Sequence, residues 1–403
     1  MTFKFYMDNP YIRELEAEVV EKKFINNKYY IKLDRTIFYP HLAGGQPGDI
    51  GTINGIDVIE TYEDKDDIVH VLNNNISGKK VKLSIDWDNR LDLMQQHTGQ
   101  HLLSSVINML YNSETIGFNI GKEYVHIDIN VSNLTDEDVT KIEVLANRMI
   151  YSNFKIMCYY VTNEKLKNIP IRNKPKINND IRIVEIDGFD YSPCCGTHLR
   201  QTGEIGIIKI RKWEKKKGNV RIEFVCGNRA LIDYIWKNKY IKDIGLLLSS
   251  KDKDVLEKVE KLFNTKETLE KENRELRAQL YELKGDSLYN EVKFKDNIGF
   301  IYKEIDNMDF KELGFIANYL NAKGNLIQIY GLHNDKKGQL YISSSKNLDL
   351  DLLKIFKTLS DKYGIKGGGS PNTVQGGCKI NDLPVIMKDF AEYISKEIKV
   401  RKS

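Results

Sequence analysis

Apolar and polar positions alternate with period two through much of the first 88 residues. The runs are Glu16–Val20, Lys28–Leu33, Thr36–Tyr39 and Lys80–Ile85, punctuated by Asn26-Asn27 and Gly55. Period two sends successive side chains to opposite faces, so residues 1–88 are expected to form a small β-barrel. From 89 to 245 the period switches back and forth. A helix is expected over 89–111, a strand over Tyr124–Ile129 and a helix over Thr135–Asn153. Thr135 followed by Asp136, Glu137 and Asp138 is a good helix start, because acids sit well beside the N-terminal dipole. A helix and loop follow over Asn163–Pro175, then a strand at Ile181–Ile186. Gly206–Trp213 and Asn219–Val225 read as a hairpin across the basic turn Glu214–Gly218. The mixture predicts an α+β core.

A seven-residue pattern takes over next. Leu262, Leu269, Leu276 and Leu283 fall every seventh position, with Val259 and Leu280 beside that row and Glu and Lys filling most other places. This is a coiled-coil pattern, interrupted at Lys266 and Asn273. It assigns 246–285 to a helical segment closed by Gly285, with its 251–284 helix pairing two copies into a homodimer together with the C-terminal domain. A surface helix lying along its own domain is the alternative. Residues 286–403 then read as strand Ile298–Tyr302, helix Phe310–Leu320, strands Leu326–Tyr330 and Gln339–Ser343, and helix Leu350–Tyr363. A glycine-rich loop to Cys378 and a last helix from Pro384 complete a small α/β domain.

At 403 residues the chain is too long for one ordinary core, which agrees with several domains. Hydrophobic content of 41% and charge of 29% describe a folded, soluble protein. No apolar run approaches the ~20 residues of a bilayer span, and the start Met1–Tyr6 lacks a secretory core. No membrane association is expected. Five scattered cysteines make no disulfide framework, which points to a reducing, cytoplasmic setting. A net charge of +4 permits nucleic-acid binding without demanding it.

Candidate chemistry centres on Gln95-Gln96-His97-Thr98-Gly99-Gln100-His101. Two imidazoles four residues apart on a helix stack on one face, within reach of one ion. A second donor pair stands in Pro193-Cys194-Cys195-Gly196-Thr197-His198, and three of the seven histidines fall in these two motifs. His97, His101, Cys194 and His198 form a nitrogen-and-sulfur set that suits one zinc ion per chain. Cys195 competes, but its side chain should point away from that of its neighbour. Position 98 is Thr, not the Glu of the HExxH zinc-protease signature, so that chemistry is excluded. No Ser-His-Asp arrangement is evident, and Ser104 and Ser105 lie on the His helix without an assigned base. Elsewhere, Arg211-Lys212-Trp213-Glu214-Lys215-Lys216 is the densest basic cluster, with Trp213 as a stacking platform for a nucleobase. Backbone amides of Gly367, Gly368 and Gly369 could cradle phosphate. The adjacent glycines of Gly44-Gly45-Gln46-Pro47-Gly48-Asp49 make a tight loop able to approach another chain closely.

These motifs resemble a known family. His97–His101, Cys194–His198 and the Gly44–Asp49 loop look like the alanyl-tRNA editing proteins (AlaX) in their long form, relatives of the editing domain of alanyl-tRNA synthetase. Glu114–Phe118, Gly203–Gly206 and Gly227–Leu231 are similar to the same family. Gly367–Pro371 and Gln375–Gly377 resemble the DHH-associated domain that ends the synthetase. The resemblance implies an α+β multidomain chain: an N-terminal β-barrel (1–88), a zinc-containing, synthetase-type editing core (89–245), the helical linker (246–285) and a C-terminal α/β DHH-associated domain (286–403). It further implies hydrolysis of the ester of mischarged tRNA(Ala), serine foremost and glycine also, without an aminoacylation domain. Gly44, Gly45 and Gln46 would then touch substrate or tRNA. Thr98, Gln100 and Thr115 are candidates to bind the serine hydroxyl. Gln100 departs from the synthetases, which often carry Thr there. The rival reading is a zinc-containing tRNA-binding protein without catalysis. A phosphoesterase reading lacks any Asp-His-His triplet.

Overall fold

A computed structural model describes residues 1–41, 45–172, 181–306, 308–334 and 337–402. The chain divides into two compact units, Met1–Leu247 and Leu248–Ser403. Among the described residues no helix is long and apolar enough to cross a membrane, and all five cysteines are free.

The first unit opens with strand β1 (Phe3–Lys4) and the short helix α1 (Phe5–Asp8). Strands β2 (Glu14–Ile25), β3 (Lys28–Leu33), β4 (Arg35–Thr36), β5 (Gly51–Ile53), β6 (Ile56–Asp64), β7 (Asp67–Leu72) and β8 (Lys80–Ile85) follow. β1 pairs with β4 in parallel, and the strands β2-β3-β7-β6-β5-β8 close into a barrel. Alternate residues such as Ile31, Leu33, Val81 and Leu83 fill its interior. The strand expected over Thr36–Tyr39 stops at Thr36. Side chains capture the next backbone donors: Thr36 Oγ1 accepts from Phe38 N (3.1 Å) and an Asp49 oxygen accepts from Tyr39 N (2.6 Å). Ile37, Phe38 and Tyr39 are nonetheless fully buried.

His70 is enclosed in this barrel. Its Nδ1–H donates to the Ile31 carbonyl (3.3 Å), which leaves Nε2 to accept from the Thr36 hydroxyl (2.8 Å). Burial lowers its pKa from 6.5 to about 4. Below pH 6.5 the unfolded chain takes up a proton that the folded barrel refuses until about pH 4. Stability should therefore fall across that window, by about 3 kcal/mol from this residue. Comparing the pH dependence of thermal unfolding in the parent and in His70→Gln isolates the effect, since every other histidine is common to both. Equal slopes would rule it out.

Helix α2 (Trp87–Tyr111) starts where Asp86 accepts from Asn89 N (3.0 Å) and ends at Asn112 in the left-handed conformation. Strands β9 (Thr115–Ile120) and β10 (Val125–Ile129) follow, then α3 (Asp136–Tyr151). The capping box of Thr135 with Asp138 fixes the start of α3 as expected. Next come β11 (Ile156–Val161), α4 (Asn163–Leu166), β12 (Ile181–Ile186), β13 (Asp190–Pro193), β14 (Ile208–Lys216), β15 (Asn219–Cys226) and α5 (Gly227–Leu247). They form a four-stranded sheet, β14-β15-β10-β9, and a three-stranded sheet, β11-β12-β13. The inner face of α2 (Leu102, Leu103, Val106, Ile107) packs with Ile127, Ile222 and Phe224 into the core of this region. Gly99 permits that contact, because a Cβ there would meet Cys226 Sγ at 2.3 Å.

In the second unit α6 (Val255–Asn290) is one helix of 36 residues. Leu262, Leu269, Leu276 and Leu283 are each more than half exposed along it. Gly285 was expected to end this helix, yet the helix runs through it. A Cβ there would meet the Tyr319 ring at 2.6 Å, so the glycine serves close packing rather than termination. Strands β16 (Lys293–Lys295) and β17 (Ile298–Asp306), helix α7 (Phe310–Lys323), strands β18 (Leu326–Asn334) and β19 (Lys337–Ser344), and helix α8 (Leu352–Tyr363) follow. β20 (Lys366–Ser370), β21 (Thr373–Lys379) and α9 (Leu383–Lys402) complete a six-stranded sheet ordered β16-β17-β18-β19-β21-β20. The predicted glycine-rich loop is therefore a hairpin, with Gly367, Gly368 and Gly369 on the edge strand. A Cβ on Gly367 or Gly369 would stand 2.1 Å from a carbonyl oxygen of β21. The glycines thus let two backbones lie flush.

Candidate metal centre and its surroundings

Helix α2 and the segment after β13 bring the four expected ligands together. One donor atom from each of His97, His101, Cys194 and His198 lies within 4.8 Å of every other. His97 Nε2 is 3.5 Å and His198 Nε2 3.3 Å from Cys194 Sγ. Cys195 is exposed and stands outside this group. The three imidazoles are buried. Burial lowers the pKa of His97 to about 3, aided by the Arg182 cation, and holds those of His101 and His198 well below the ordinary value. All three rings are therefore neutral near pH 7, the form that offers a lone pair to a metal. Burial pushes the Cys194 thiol up to about 12, against the opposing pull of the Gly196 N–H and of Arg182. His101 Nδ1 is buried with no hydrogen-bond partner. Such an atom is costly unless something bonds to it. Three neutral imidazoles, a thiol and an unsatisfied ring nitrogen fit a bound cation.

The surroundings are as ordered as the donors. Arg182, on β12, donates from Nη1 to the carbonyls of Cys194 (2.9 Å) and Gly196 (3.0 Å), pinning the loop. A Cβ on Gly196 would sit 2.2 Å from His97 Cε1, so only glycine fits against that ring. Phe118 of β9 stacks on His97 at 5.7 Å. Gly45, at φ +79°, leaves the space that Phe118 occupies. Gln46 is fully buried: its Oε1 lies 2.8 Å from His97 Nδ1, and its Nε2 donates to Thr197 Oγ1 (2.8 Å). Gln46, expected among the residues touching substrate or tRNA, stands at the back of the cluster with its amide wholly enclosed. Gly44 lies outside the described residues. The loop itself is anchored by Arg90 of α2, which is fully buried. Arg90 Nε donates to Asp49 Oδ1 (2.8 Å), Nη2 pairs with Oδ2, and Nη1 and Nη2 reach the carbonyls of Pro10 and Ile37 (2.7 Å each).

Of the three candidates for the serine hydroxyl, the fold joins two. Gln100 Nε2 donates to Ser104 Oγ (2.9 Å), and Thr115 Oγ1 donates to the same oxygen (2.7 Å). Ser104, which sequence reasoning left without a role, is the hub. Thr98 stands apart: its buried hydroxyl accepts from Leu199 N (3.2 Å) and lies 3.2 Å from His198 Nδ1. Arg182, Arg90 and Phe118 escaped notice because each acts through contacts distant in sequence. In the basic cluster Trp213, the expected stacking platform, is half-buried and packs against the core of the unit. Arg211 pairs with Asp233 (3.3 Å) and Lys212 with Glu214 (2.6 Å), while Lys215 and Lys216 are exposed near the hairpin tip.

Comparison with known proteins agrees with this arrangement. Residues 181–223 match the threonyl and alanyl tRNA synthetase second additional domain, and residues 297–396 match the DHHA1 domain. The chain is 34% identical over 393 residues to alanyl-tRNA editing protein AlaX-L of Pyrococcus horikoshii, covering 93% of this chain and 94% of that protein. It is 27% identical over 380 residues to alanyl-tRNA editing protein Aarsd1 of Danio rerio, covering 92% and 89%. Against alanine–tRNA ligase of Ignicoccus hospitalis it is 30% identical over 400 residues, which is 95% of this chain but 42% of the ligase. Matched nearly end to end with AlaX-L, and carrying the four clustered donors, the chain belongs to the alanyl-tRNA editing protein family.

Proposed function

We propose that this chain is a trans-editing deacylase that hydrolyses the ester of mischarged tRNA(Ala), chiefly Ser-tRNA(Ala) and also Gly-tRNA(Ala). The observation that carries this reading is the placing of the Gln100–Ser104–Thr115 hydroxyl-and-amide group beside the donor cluster, since Gln100 and Ser104 stand three positions after His97 and His101 and so share their face of α2. His97, His101, Cys194 and His198 would hold one zinc ion, whose chemistry is to order the pocket and attract the developing negative charge. The ester is already activated, so what remains is to place the carbonyl and a water molecule. Ser104 Oγ accepts twice, so its own hydrogen is available to a substrate hydroxyl. An alanine side chain would leave that group without a partner, which is the physical basis for sparing correctly charged tRNA. Thr98 acts behind His198 rather than on substrate.

The tRNA would lie along Arg211, Lys212, Lys215 and Lys216 in the first unit. In the second unit it would reach a groove of about 650 Å³ that includes Phe310, Lys311, Phe315 and Gly367–Gly369. Lysine for phosphate beside aromatic rings for bases is the usual combination for RNA. Two copies would pair through the exposed leucines of α6. We place the activity in the cytoplasm, whose reducing conditions keep Cys194 a thiol. Within the chain we retain a barrel over 1–88, an editing core over 89–245, a helical linker over 246–285 and a DHH-associated domain from 286.

The test is deacylation of Ser-, Gly- and Ala-tRNA(Ala) with and without a chelator. Serine should be released fastest, alanine slowest, and chelation should stop turnover. Gln100→Ala and Thr115→Ala should each lower the serine-to-alanine rate ratio about 3- to 10-fold, the worth of one hydrogen bond. Bound zinc and bound tRNA without turnover would favour the binding-only reading. An unchanged ratio in both variants would remove these residues from selectivity.

A further inference from the structure

Gln46 settles a question that ring geometry alone leaves open, namely which nitrogen of His97 carries the proton. Its carboxamide oxygen and nitrogen are distinguished by their neighbours. Thr197 N, a backbone donor, points at Oε1 from 3.1 Å, and only an oxygen can accept it. Oε1 is therefore the atom 2.8 Å from His97 Nδ1. An acceptor at that distance requires the ring nitrogen to be the donor, so the proton sits on Nδ1. Nε2 is then bare, and it is the nitrogen facing Cys194 Sγ. The amide cannot turn over without setting its NH₂ against the Thr197 N–H and the ring. Nor can the ring back away on the side of Gly196, which leaves no room for even a methyl.

We propose that Gln46 is a positioning residue that holds His97 in its Nδ1–H tautomer, so that the Nε2 lone pair is presented to the ligand cluster before any ion arrives. The consequence for affinity rests on the reading of the cluster as a zinc site; the tautomer does not. Partners behind a metal-bound histidine fix its tautomer and ring orientation, and their loss costs about 10- to 100-fold in metal affinity. Asp49 and Arg90 extend the chain of support, since their buried pair fixes the loop that carries Gln46.

Two substitutions in the full-length protein separate this role from simple packing. Gln46→Leu keeps the bulk and removes the acceptor. Gln46→Glu keeps an oxygen for both Thr197 N and His97 Nδ1–H, and the Thr197 hydroxyl can turn to donate. Zinc affinity is read by competition with a chelator. The His97 tautomer is read from ¹⁵N shifts in the metal-free, histidine-labelled protein, with folding checked by thermal unfolding. We expect zinc binding weakened about 10- to 100-fold in Gln46→Leu, with His97 no longer confined to Nδ1–H, and both properties restored in Gln46→Glu. Parent-like affinity and tautomer in Gln46→Leu would overturn the proposal. So would a loss that Gln46→Glu fails to restore, which would mark the residue as packing alone. If the parent takes up no zinc, the metal reading fails, and the ¹⁵N shifts still decide for or against Gln46.

Discussion

Replacing Cys194 by alanine is expected to empty the protein of zinc and to cut kcat/KM on Ser-tRNA(Ala) by at least about 100-fold, beyond the loss of an outer partner alone. Cys194 is the one sulfur among the four clustered donors, and the one ligand able to bring a negative charge. Its thiol, pushed up to about 12 by burial, remains protonated near neutrality until a cation takes the proton's place. Zinc uptake should thus release a proton and weaken as the pH falls. Without the sulfur, three neutral imidazoles remain, a set one donor short of four and lacking the negative charge of a thiolate. Cys195→Ala is the matched control, because that side chain is exposed and outside the cluster. Metal analysis of purified protein, paired with single-turnover deacylation, reads both effects. Full zinc content and parent-like hydrolysis in Cys194→Ala would refute the assignment of this ligand.

Arg90→Met should destabilise the first unit by about 3–5 kcal/mol, the usual cost of leaving one member of a buried ion pair alone. Arg90 and Asp49 are both fully enclosed, and no solvent is at hand to take over when the guanidinium goes. The same guanidinium satisfies the carbonyls of Pro10 and Ile37, so the substitution strands three acceptors at once. For a unit of this size the loss corresponds to a drop of roughly 10 °C in unfolding temperature. Arg90→Met combined with Asp49→Leu should recover part of it, since two apolar groups tolerate a dry site better than one charge does. Thermal melts of the two variants decide the matter. A single variant as stable as the parent would show that the pair contributes little.

The donor cluster was legible in the sequence because its two halves are short local motifs: His-x3-His on a helix, and Cys-x3-His in a glycine-containing loop. Helix starts at Thr135 and strand runs such as Lys80–Ile85 were legible for the same reason, since capping and alternation act over a few residues. What escaped was set by tertiary contact. Gln46 sits 51 residues before His97, and nothing in a Gln between Gly45 and Pro47 announces that it will stand behind an imidazole. Gly285 and Gly367–Gly369 looked like breaks because glycine usually marks them. In the fold Gly285, Gly367 and Gly369 are places where another ring or strand comes too close for a side chain. Tyr39 left its expected strand because Asp49, ten positions on, claimed its backbone donor.

The loop bearing Gln46 and Asp49 leads into barrel strand β5 and is tied to α2 by the Asp49–Arg90 pair, so the first unit has no clean seam at residue 88. A version of this enzyme trimmed to start at the His helix would keep all four candidate ligands in its sequence, yet would expose the rear of His97 to water. The small barrel thus helps to enclose the donor cluster, and transplanting that cluster into another protein requires carrying both.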